Sequence, residues 1–131
     1  MTGLDTNVLV RYLVQDDAVQ SPKATACIES FTVEHRGFIS LTALVELMWV
    51  LTSLYGMDKE GRLRVLDTLL RTRTLAVEQA QIVWRAVNLY RTSRADFEDC
   101  LILCSCQAAE CVEILTYDAT AAKLVGMRLL K

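Results

Sequence analysis

Five carboxylates in this sequence stand where a strand is predicted to give way to a helix. They are Asp5, Glu46, Asp96, Asp99 and Asp118. The carboxyl ends of the strands in an open parallel sheet form the edge where ligands bind, so we expect these side chains to converge. Converging carboxylates repel one another unless a cation lies among them, and a purely oxygen ligand set favours Mg²⁺ or Mn²⁺. Such a centre suits in-line displacement at phosphorus.

Each of these acids also has an ordinary structural role to play. Aspartate is a common N-cap, and an acid in the first turn of a helix complements the helix dipole by about 0.3–1 kcal/mol. Glu46 is predicted in the first turn of its helix, and Asp96 and Asp99 share one helix face. The joint pattern favours a metal site, because these acids accompany most of the predicted strand-to-helix junctions and would be brought to the same edge of the sheet.

The residues present do not favour nucleophilic catalysis with histidine, nucleotide binding or a cysteine metal site. His35 is the one histidine, and it lies in a turn, which makes a Ser-His-Asp or Cys-His site improbable. No glycine-rich nucleotide fingerprint or P-loop is present. The five cysteines have no second paired ligand set, so we interpret them as buried, reduced thiols.

Short apolar runs alternate with segments of helical periodicity along the chain. Strands are predicted over 2–5, 37–40, 75–77 and 112–116, and a last helical piece over 119–125. Three helix starts carry local signals. They are Ser21 before Pro22, Thr42 and Asp58.

This alternation predicts an α/β fold with parallel strands, because the crossovers are too long for hairpins. The strands are continuous apolar runs, as a sheet covered by helices on both faces requires. The expected architecture is a three-layer α/β/α sandwich around a short central parallel sheet. At 131 residues the chain is predicted to form one domain, 1–131.

The net charge and the lack of long apolar runs limit which partners and which cellular location we expect. The formal net charge of −2 argues against binding nucleic acid through a broad basic face. Asp5, Glu46, Asp99 and Asp118 contribute −4 of that total, so a nucleic-acid substrate held by metal and a few arginines stays compatible with it. No signal peptide or membrane-spanning run is evident, which predicts a cytoplasmic protein without membrane contact.

Four ordered motifs resemble those of PIN domains, and the VapC toxins of prokaryotic toxin–antitoxin pairs are the most similar members. The first is Leu4-Asp5-Thr6-Asn7-Val8-Leu9, and the second is Ile39-Ser40 followed by Leu44-Val45-Glu46-Leu47. The third is Ala95-Asp96-Phe97-Glu98-Asp99-Cys100-Leu101-Ile102, and the fourth is Leu115-Thr116-Tyr117-Asp118. The resemblance spans nearly the whole chain. Two features differ from the usual family pattern: the first predicted strand of this chain is less apolar, and cysteines follow Asp99 where alanines are common.

The resemblance implies a metal-dependent endoribonuclease for single-stranded RNA that a cognate antitoxin keeps inactive. Asp5 and Asp99 would be the main ligands of Mg²⁺ or Mn²⁺, with Glu46 and Asp118 completing the site and Asp96 in support. Hydrogen bonds from Thr6, Asn7 and Thr116 would orient the carboxylates or the metal-bound waters. Metal-activated water would then attack the phosphodiester.

Two other functions stay open on the sequence. One is a phosphate-handling α/β domain of the haloacid-phosphatase or receiver type, although Asn7 stands where the former needs a second aspartate. The other is a binding domain of the same fold without catalysis.

Two sets of surface residues are candidates for partner binding. Arginines on or just after two helices could hold RNA phosphates. Apolar helix residues exceed what a small core needs, which favours a homodimer interface or an antitoxin groove. These two sets are Arg62, Arg64, Arg71, Arg73, Arg85, Arg91 and Arg94, and Leu44, Trp49, Leu51 and Trp84.

Overall fold

A computed structural model describes residues 1–131, and contacts divide the chain into two compact units, Met1–Glu78 and Gln79–Lys131. The prediction that they form one domain stays a prediction. The first unit contains three short strands and four helices. In chain order they are β1 (Thr2–Gly3), α1 (Thr6–Val14), α2 (Gln20–Glu29), β2 (Gly37–Ile39), α3 (Leu41–Ser53), α4 (Lys59–Arg71) and β3 (Leu75–Val77).

The strands of the first unit form a parallel sheet in the order β1-β2-β3. Gly37 lies in the middle strand, where it pairs with Thr2 on one side and with Leu75 on the other. The core of this unit is built from apolar residues of α1, α3 and α4, among which Leu9, Leu47 and Leu66 are 0% exposed. Burial of side chains of this size contributes about 1.5–3 kcal/mol each.

Side-chain caps decide where these helices begin, and two of the three predicted starts are corrected. Ser40, rather than Thr42, caps α3, because its Oγ accepts a hydrogen bond from the Ala43 amide at 3.1 Å. At the start of α2, Oδ1 of Asp17, rather than Ser21, accepts hydrogen bonds from the amides of Val19 and Gln20. The Asp58 cap is confirmed, since its carboxylate accepts from the Gly61 amide at 2.8 Å.

The second unit contains two long helices and two paired strands. They are α5 (Ala80–Thr92), α6 (Phe97–Ala108), β4 (Ile114–Thr116) and β5 (Met127–Leu129), with one 3₁₀ turn, Ala121–Lys123, between the strands. β4 and β5 are parallel, with Ile114 opposite Met127. Helices α5 and α6 pack together, and the rings of Tyr90 and Phe97 meet edge to face with centroids 6.0 Å apart.

The sequence prediction for the end of the chain was partly wrong. Only residues 121–123 of the predicted helical piece are helical, as a single 3₁₀ turn, and β5 was not predicted at all. Gly126 lies at φ 102, a conformation that turns the chain sharply into β5. The predicted strand over 112–116 is confirmed for Ile114–Thr116.

The α/β class is confirmed: the chain is 56% helical and every strand pair is parallel. None of its helices combines the length and the apolar character that crossing a membrane would require.

The cysteines depart from the expectation of a buried set. All five are free thiols, but only Cys100 and Cys104 are buried, whereas Cys27 and Cys111 are exposed. The prediction of buried thiols is therefore wrong for Cys27 and Cys111, because each lies near or beyond the end of its helix rather than on the packed face.

The crowding at Gly37 gives a direct test of the sheet. A Cβ at this position would lie 2.6 Å from Cε2 of Phe31 and 3.0 Å from Cδ2 of Leu75, so Gly37→Ala should lower the free energy of unfolding by about 1–3 kcal/mol. Gly3→Ala is the matched control in the same sheet, because nothing lies within 4 Å of the added Cβ. Urea unfolding of both variants measures the difference, and equal stability would contradict the described packing.

Candidate functional site

Asp5 caps the first helix of the chain. Its backbone is extended at φ −77 and ψ 156, and its Oδ1 accepts a hydrogen bond from the Thr6 amide at 2.7 Å. The Asp5 side chain is exposed, while the neighbouring Leu4 and Thr6 are buried and fix the backbone on either side. The short strand and the helix start thus hold this carboxylate at the surface.

Glu46 lies on α3 and shares a surface cavity with Asp5. The cavity has a volume of about 340 Å³, and Asn7 and Arg11 also line it. Glu46 is in the second turn of α3, so its predicted place in the first turn is wrong, because the helix begins at Leu41 under the Ser40 cap. The structure nevertheless brings the two predicted acids of the first unit to one cavity.

A hydrogen-bonded group that the sequence analysis missed adjoins the same cavity. Nη1 of Arg11 donates to Oδ1 of Asp16 at 3.1 Å, and the Tyr55 hydroxyl donates to Oδ2 of Asp16 at 2.8 Å. The hydrogen bond from Tyr55 is the main cause that lowers the pKa of Asp16. Tyr55 and Asp16 are 39 positions apart in the sequence, so no local motif predicts this contact.

Asp96 and Asp99 are both at the beginning of α6 in the second unit. Asp96 is the N-cap residue, with φ −69 and ψ 156, and Asp99 lies in the first helical turn, as predicted. The pKa of Asp99 is raised above its ordinary value, first by burial and then by the negative charges of Asp118 and Asp96. The structure therefore brings Asp118 and Asp96 close enough to Asp99 for their charges to act on it.

Asp118 follows β4 and is held by the turn that comes after it. Its Oδ1 accepts hydrogen bonds from the amides of Thr120 at 2.8 Å and Ala121 at 3.0 Å. Oγ1 of Thr116 accepts the Asp118 amide at 3.0 Å. Thr116 thus positions the backbone that carries Asp118.

The donor chemistry of these acids fits a hard divalent cation. Every candidate donor is a carboxylate oxygen, and a cation beside Asp99 would remove the repulsion that raises its pKa. No group of three or more His, Cys, Asp or Glu side chains in the structure is arranged to hold a metal ion.

The raised pKa of Asp99 affects the stability of the metal-free protein. Because the pKa of Asp99 is higher in the folded protein than in the unfolded chain, ionised Asp99 destabilises the fold above that folded-state pKa. Below the unfolded-state pKa the carboxyl is protonated in both states and the penalty is absent. At this residue the metal-free protein therefore gains stability as the pH falls through the aspartate range.

Three cationic side chains gather around a second surface cavity, next to the acids of the second unit. The cavity has a volume of about 350 Å³ and is lined by Arg91, Arg94 and Lys123 together with Ser93 and Thr120. Arg91 and Arg94 belong to the predicted arginine set, while Lys123 was missed because its 3₁₀ turn was taken for a longer helix. The hydrogen bonds of Asp118 hold the beginning of that turn.

The parallel strands, the helices and the oxygen-only acidic groups define an α/β protein with carboxylates at strand and helix ends. The chain belongs to the PIN domain family, whose model matches residues 4–126. The resemblance predicted from the four motifs is thereby confirmed. The haloacid-phosphatase and receiver alternatives are set aside, since the family match covers almost the whole chain.

Two individual proteins similar to this chain carry informative names. A protein of Aquifex aeolicus (strain VF5) named VapC ribonuclease is 25% identical over 129 residues, which is 95% of this chain and 92% of the relative. A solved structure titled toxin-antitoxin complex from Klebsiella pneumoniae has a chain that is 22% identical, with a TM-score of 0.37. That similarity covers 97% of this chain and 95% of the other.

The repulsion at Asp99 is open to direct measurement. Asp118→Asn removes one of the two charges that raise the pKa of Asp99, so the pKa should fall toward its ordinary value in the metal-free protein. Carboxyl ¹³C shifts followed through a pH titration report the change. Glu113→Gln is the matched control, because Glu113 is paired with Arg128 at 3.0 Å and does not act on Asp99. An Asp99 pKa that is unchanged by Asp118→Asn, or lowered equally by both variants, would contradict the described cluster.

Proposed function

We propose that this protein is a divalent-metal-dependent endoribonuclease that hydrolyses phosphodiester bonds of single-stranded RNA. The proposal includes a role as the toxin component of a toxin–antitoxin system in the cytoplasm. The observation that carries it is the grouping of Asp96 and Asp118 near Asp99, whose pKa is raised first by burial and then by those two charges, in a chain of the PIN domain family. Similarity to a protein named VapC ribonuclease supports the ribonuclease activity.

The metal-binding part of the proposal assigns five carboxylate ligands. Asp5 and Asp99 would be the main ligands of Mg²⁺ or Mn²⁺, with Glu46, Asp96 and Asp118 completing the site directly or through water. It is supported by the cavity that Asp5 and Glu46 share and by the charges that act on Asp99. When bound, the cation supplies positive charge for the phosphoryl oxygens and lowers the cost of deprotonating water.

The residues around these acids have the separate task of fixing their orientation. The Thr6 amide holds Oδ1 of Asp5, and the amides of Thr120 and Ala121 hold Oδ1 of Asp118. Backbone amides are rigid donors, so each carboxylate is oriented before any ligand arrives and loses little freedom on binding. The exposed Asn7 lines the cavity of Asp5 and Glu46, where its amide group would orient bound water.

RNA binding is assigned to the cationic cavity of the second unit. Arginine and lysine side chains hold phosphates, and Arg91, Arg94 and Lys123 line a space without a lining acid. Asp96 follows the lining residue Ala95 directly, and Asp118 lies two positions before the lining residue Thr120. An RNA phosphate bound in this cavity would therefore lie near Asp96 and Asp118, which are proposed to bind the metal that cleaves the adjacent phosphodiester.

The protein partners in this proposal are a cognate antitoxin and a second copy of the chain. They are supported by two large apolar side chains at the surface, Trp49 on α3 at 59% exposure and Leu54, the residue that caps the C-terminal end of α3, at 68%. Leu44 and Leu51, which the sequence suggested for the same purpose, are buried and belong to the core. Trp49 is thus the best-placed anchor for an apolar partner surface.

Loss of metal or of its ligands should abolish RNA cleavage. We expect a chelator to stop cleavage and added Mg²⁺ or Mn²⁺ to restore it. Asp5→Asn and Asp99→Asn should each lower the rate by about 100-fold or more, which corresponds to about 3 kcal/mol of transition-state stabilisation. Cleavage of a labelled single-stranded RNA measures both effects.

The matched controls remove the same charge at other places on the surface. Glu110→Gln acts beyond the opposite end of α6, and Glu29→Gln acts at the end of α2. Both should retain cleavage. Cleavage that survives Asp99→Asn, or that needs no metal, would refute the assigned centre, and metal binding without cleavage would identify the non-catalytic binding domain.

If RNA binds in the cationic cavity, that cavity should account for a measurable part of the salt dependence of RNA binding. Replacing Arg94 and Lys123 by Gln together should weaken RNA binding, and each lost phosphate contact should reduce the slope of log K against log salt by about 0.7. Lys131→Gln is the matched control, since it removes an exposed cation at the chain end. Fluorescence titration of a catalytically inactive variant gives both slopes, and equal slopes would remove this cavity from the RNA path.

A further inference from the structure

The C-terminal end of α6 brings two cysteines together through its backbone. Glu110 adopts the left-handed conformation at φ 67, and its amide donates to the Gln107 carbonyl at 2.9 Å. The Cys111 amide donates to the Cys106 carbonyl at 3.0 Å. This pair of hydrogen bonds is a Schellman motif, in which the first residue beyond the turn contacts the side chain of the third residue from the helix end. Cys111 and Cys106 occupy those two positions.

The hydrogen bond between these residues also limits the distance between their Cα atoms. With a 3.0 Å bond, the fixed spans from each Cα to the bonded oxygen and nitrogen allow a Cα–Cα separation of at most about 6.9 Å. Disulfides require Cα atoms within about 7 Å of each other. The backbone therefore permits a bond between Cys106 and Cys111 without rearrangement of α6.

The surroundings of the two thiols differ in a way that suits stepwise oxidation. Cys111 is exposed, whereas Cys106 is partly covered. Burial raises the pKa of the Cys106 thiol, and the neighbouring Cys111 thiol raises it further. Cys111 is thus the thiol that is accessible to an oxidant. Cys106 is the neighbouring thiol that can react with the sulfenic acid formed on Cys111.

We propose that Cys106 and Cys111 form a reversible disulfide that clamps the turn between α6 and β4 when the protein meets a hydroperoxide. Hydrogen peroxide transfers one oxygen to the Cys111 sulfur, which becomes a sulfenic acid, and one water leaves. The Cys106 sulfur then attacks the Cys111 sulfur, the S–S bond forms and the S–O bond breaks with release of a second water. Two thiols lose two electrons and two protons in total, and one peroxide is reduced to two waters.

The clamp would act on the segment that leads to Asp118. Cys111 lies three residues before β4, and Thr116 and Asp118 follow from that strand. A cross-link across this turn restricts the unfolded chain and the local opening of the helix end. The site is separate from the proposed nuclease centre, so either assignment can fail without the other.

The test is oxidation of the full-length wild-type protein with a small excess of hydrogen peroxide. We expect a mass loss of about 2 Da, reversed by a dithiol reductant. Cleavage after glutamate cuts the chain at Glu110, between the two cysteines, so the disulfide keeps the two fragments joined. The oxidised protein should also melt several degrees higher and exchange the amides of residues 109–113 more slowly.

Variants separate this pair from the other thiols. Cys27→Ser, which removes the exposed thiol of the first unit, should leave the mass loss and the joined fragments unchanged. Cys111→Ser should abolish both, and because Cys111 is exposed the variant should fold normally. Oxygen addition without mass loss in the wild type, a disulfide that joins any other pair, or a mass loss that survives Cys111→Ser would overturn the proposal.

Discussion

Repulsion of the Asp99 carboxylate by Asp118 and Asp96, in a partly buried position, is the constraint on which the proposed function depends. Burial and two neighbouring charges raise the pKa of Asp99, so the protein maintains an arrangement that is electrostatically unfavourable in the absence of a cation. Helix packing accounts for that arrangement. Phe97 is buried against Tyr90 and fixes the start of α6, which carries Asp96 and Asp99.

The same backbone features that satisfy helix ends also hold the acids in place. Asp5 caps α1, and the Asp118 carboxylate accepts the first amides of the 3₁₀ turn. An acid at the start of a helix is stabilised by the helix dipole, which offsets part of its repulsion from other acids. Structural capping and metal binding are therefore compatible uses of one side chain, which is why each acid taken alone carries little functional information.

Local sequence predicted the order of helices and strands better than it predicted the helix boundaries. Asp58 was identified as a cap because a single short-range hydrogen bond decides that position. Thr42 was chosen over Ser40 because both are good caps by type, and the choice depends on where β2 ends. That boundary depends on pairing with Leu75–Val77, which is far away in sequence. β5 escaped prediction for a similar reason, since Met127–Leu129 is a strand through its pairing with Ile114–Thr116. The Arg11–Asp16–Tyr55 group likewise depends on a contact between distant segments.

The central claim is that Asp96, Asp99 and Asp118 lie close enough together to bind a divalent cation, as proposed, and Mn²⁺ titration with NMR detection tests it most directly. A paramagnetic ion broadens the carboxyl signals of the residues that surround it. The account predicts that the signals of Asp96, Asp99 and Asp118 broaden together at the same low Mn²⁺ concentration, and that Asp99→Asn weakens the effect on Asp118. Broadening of only one of these three signals, or an effect on Asp118 that Asp99→Asn leaves unchanged, would contradict the account.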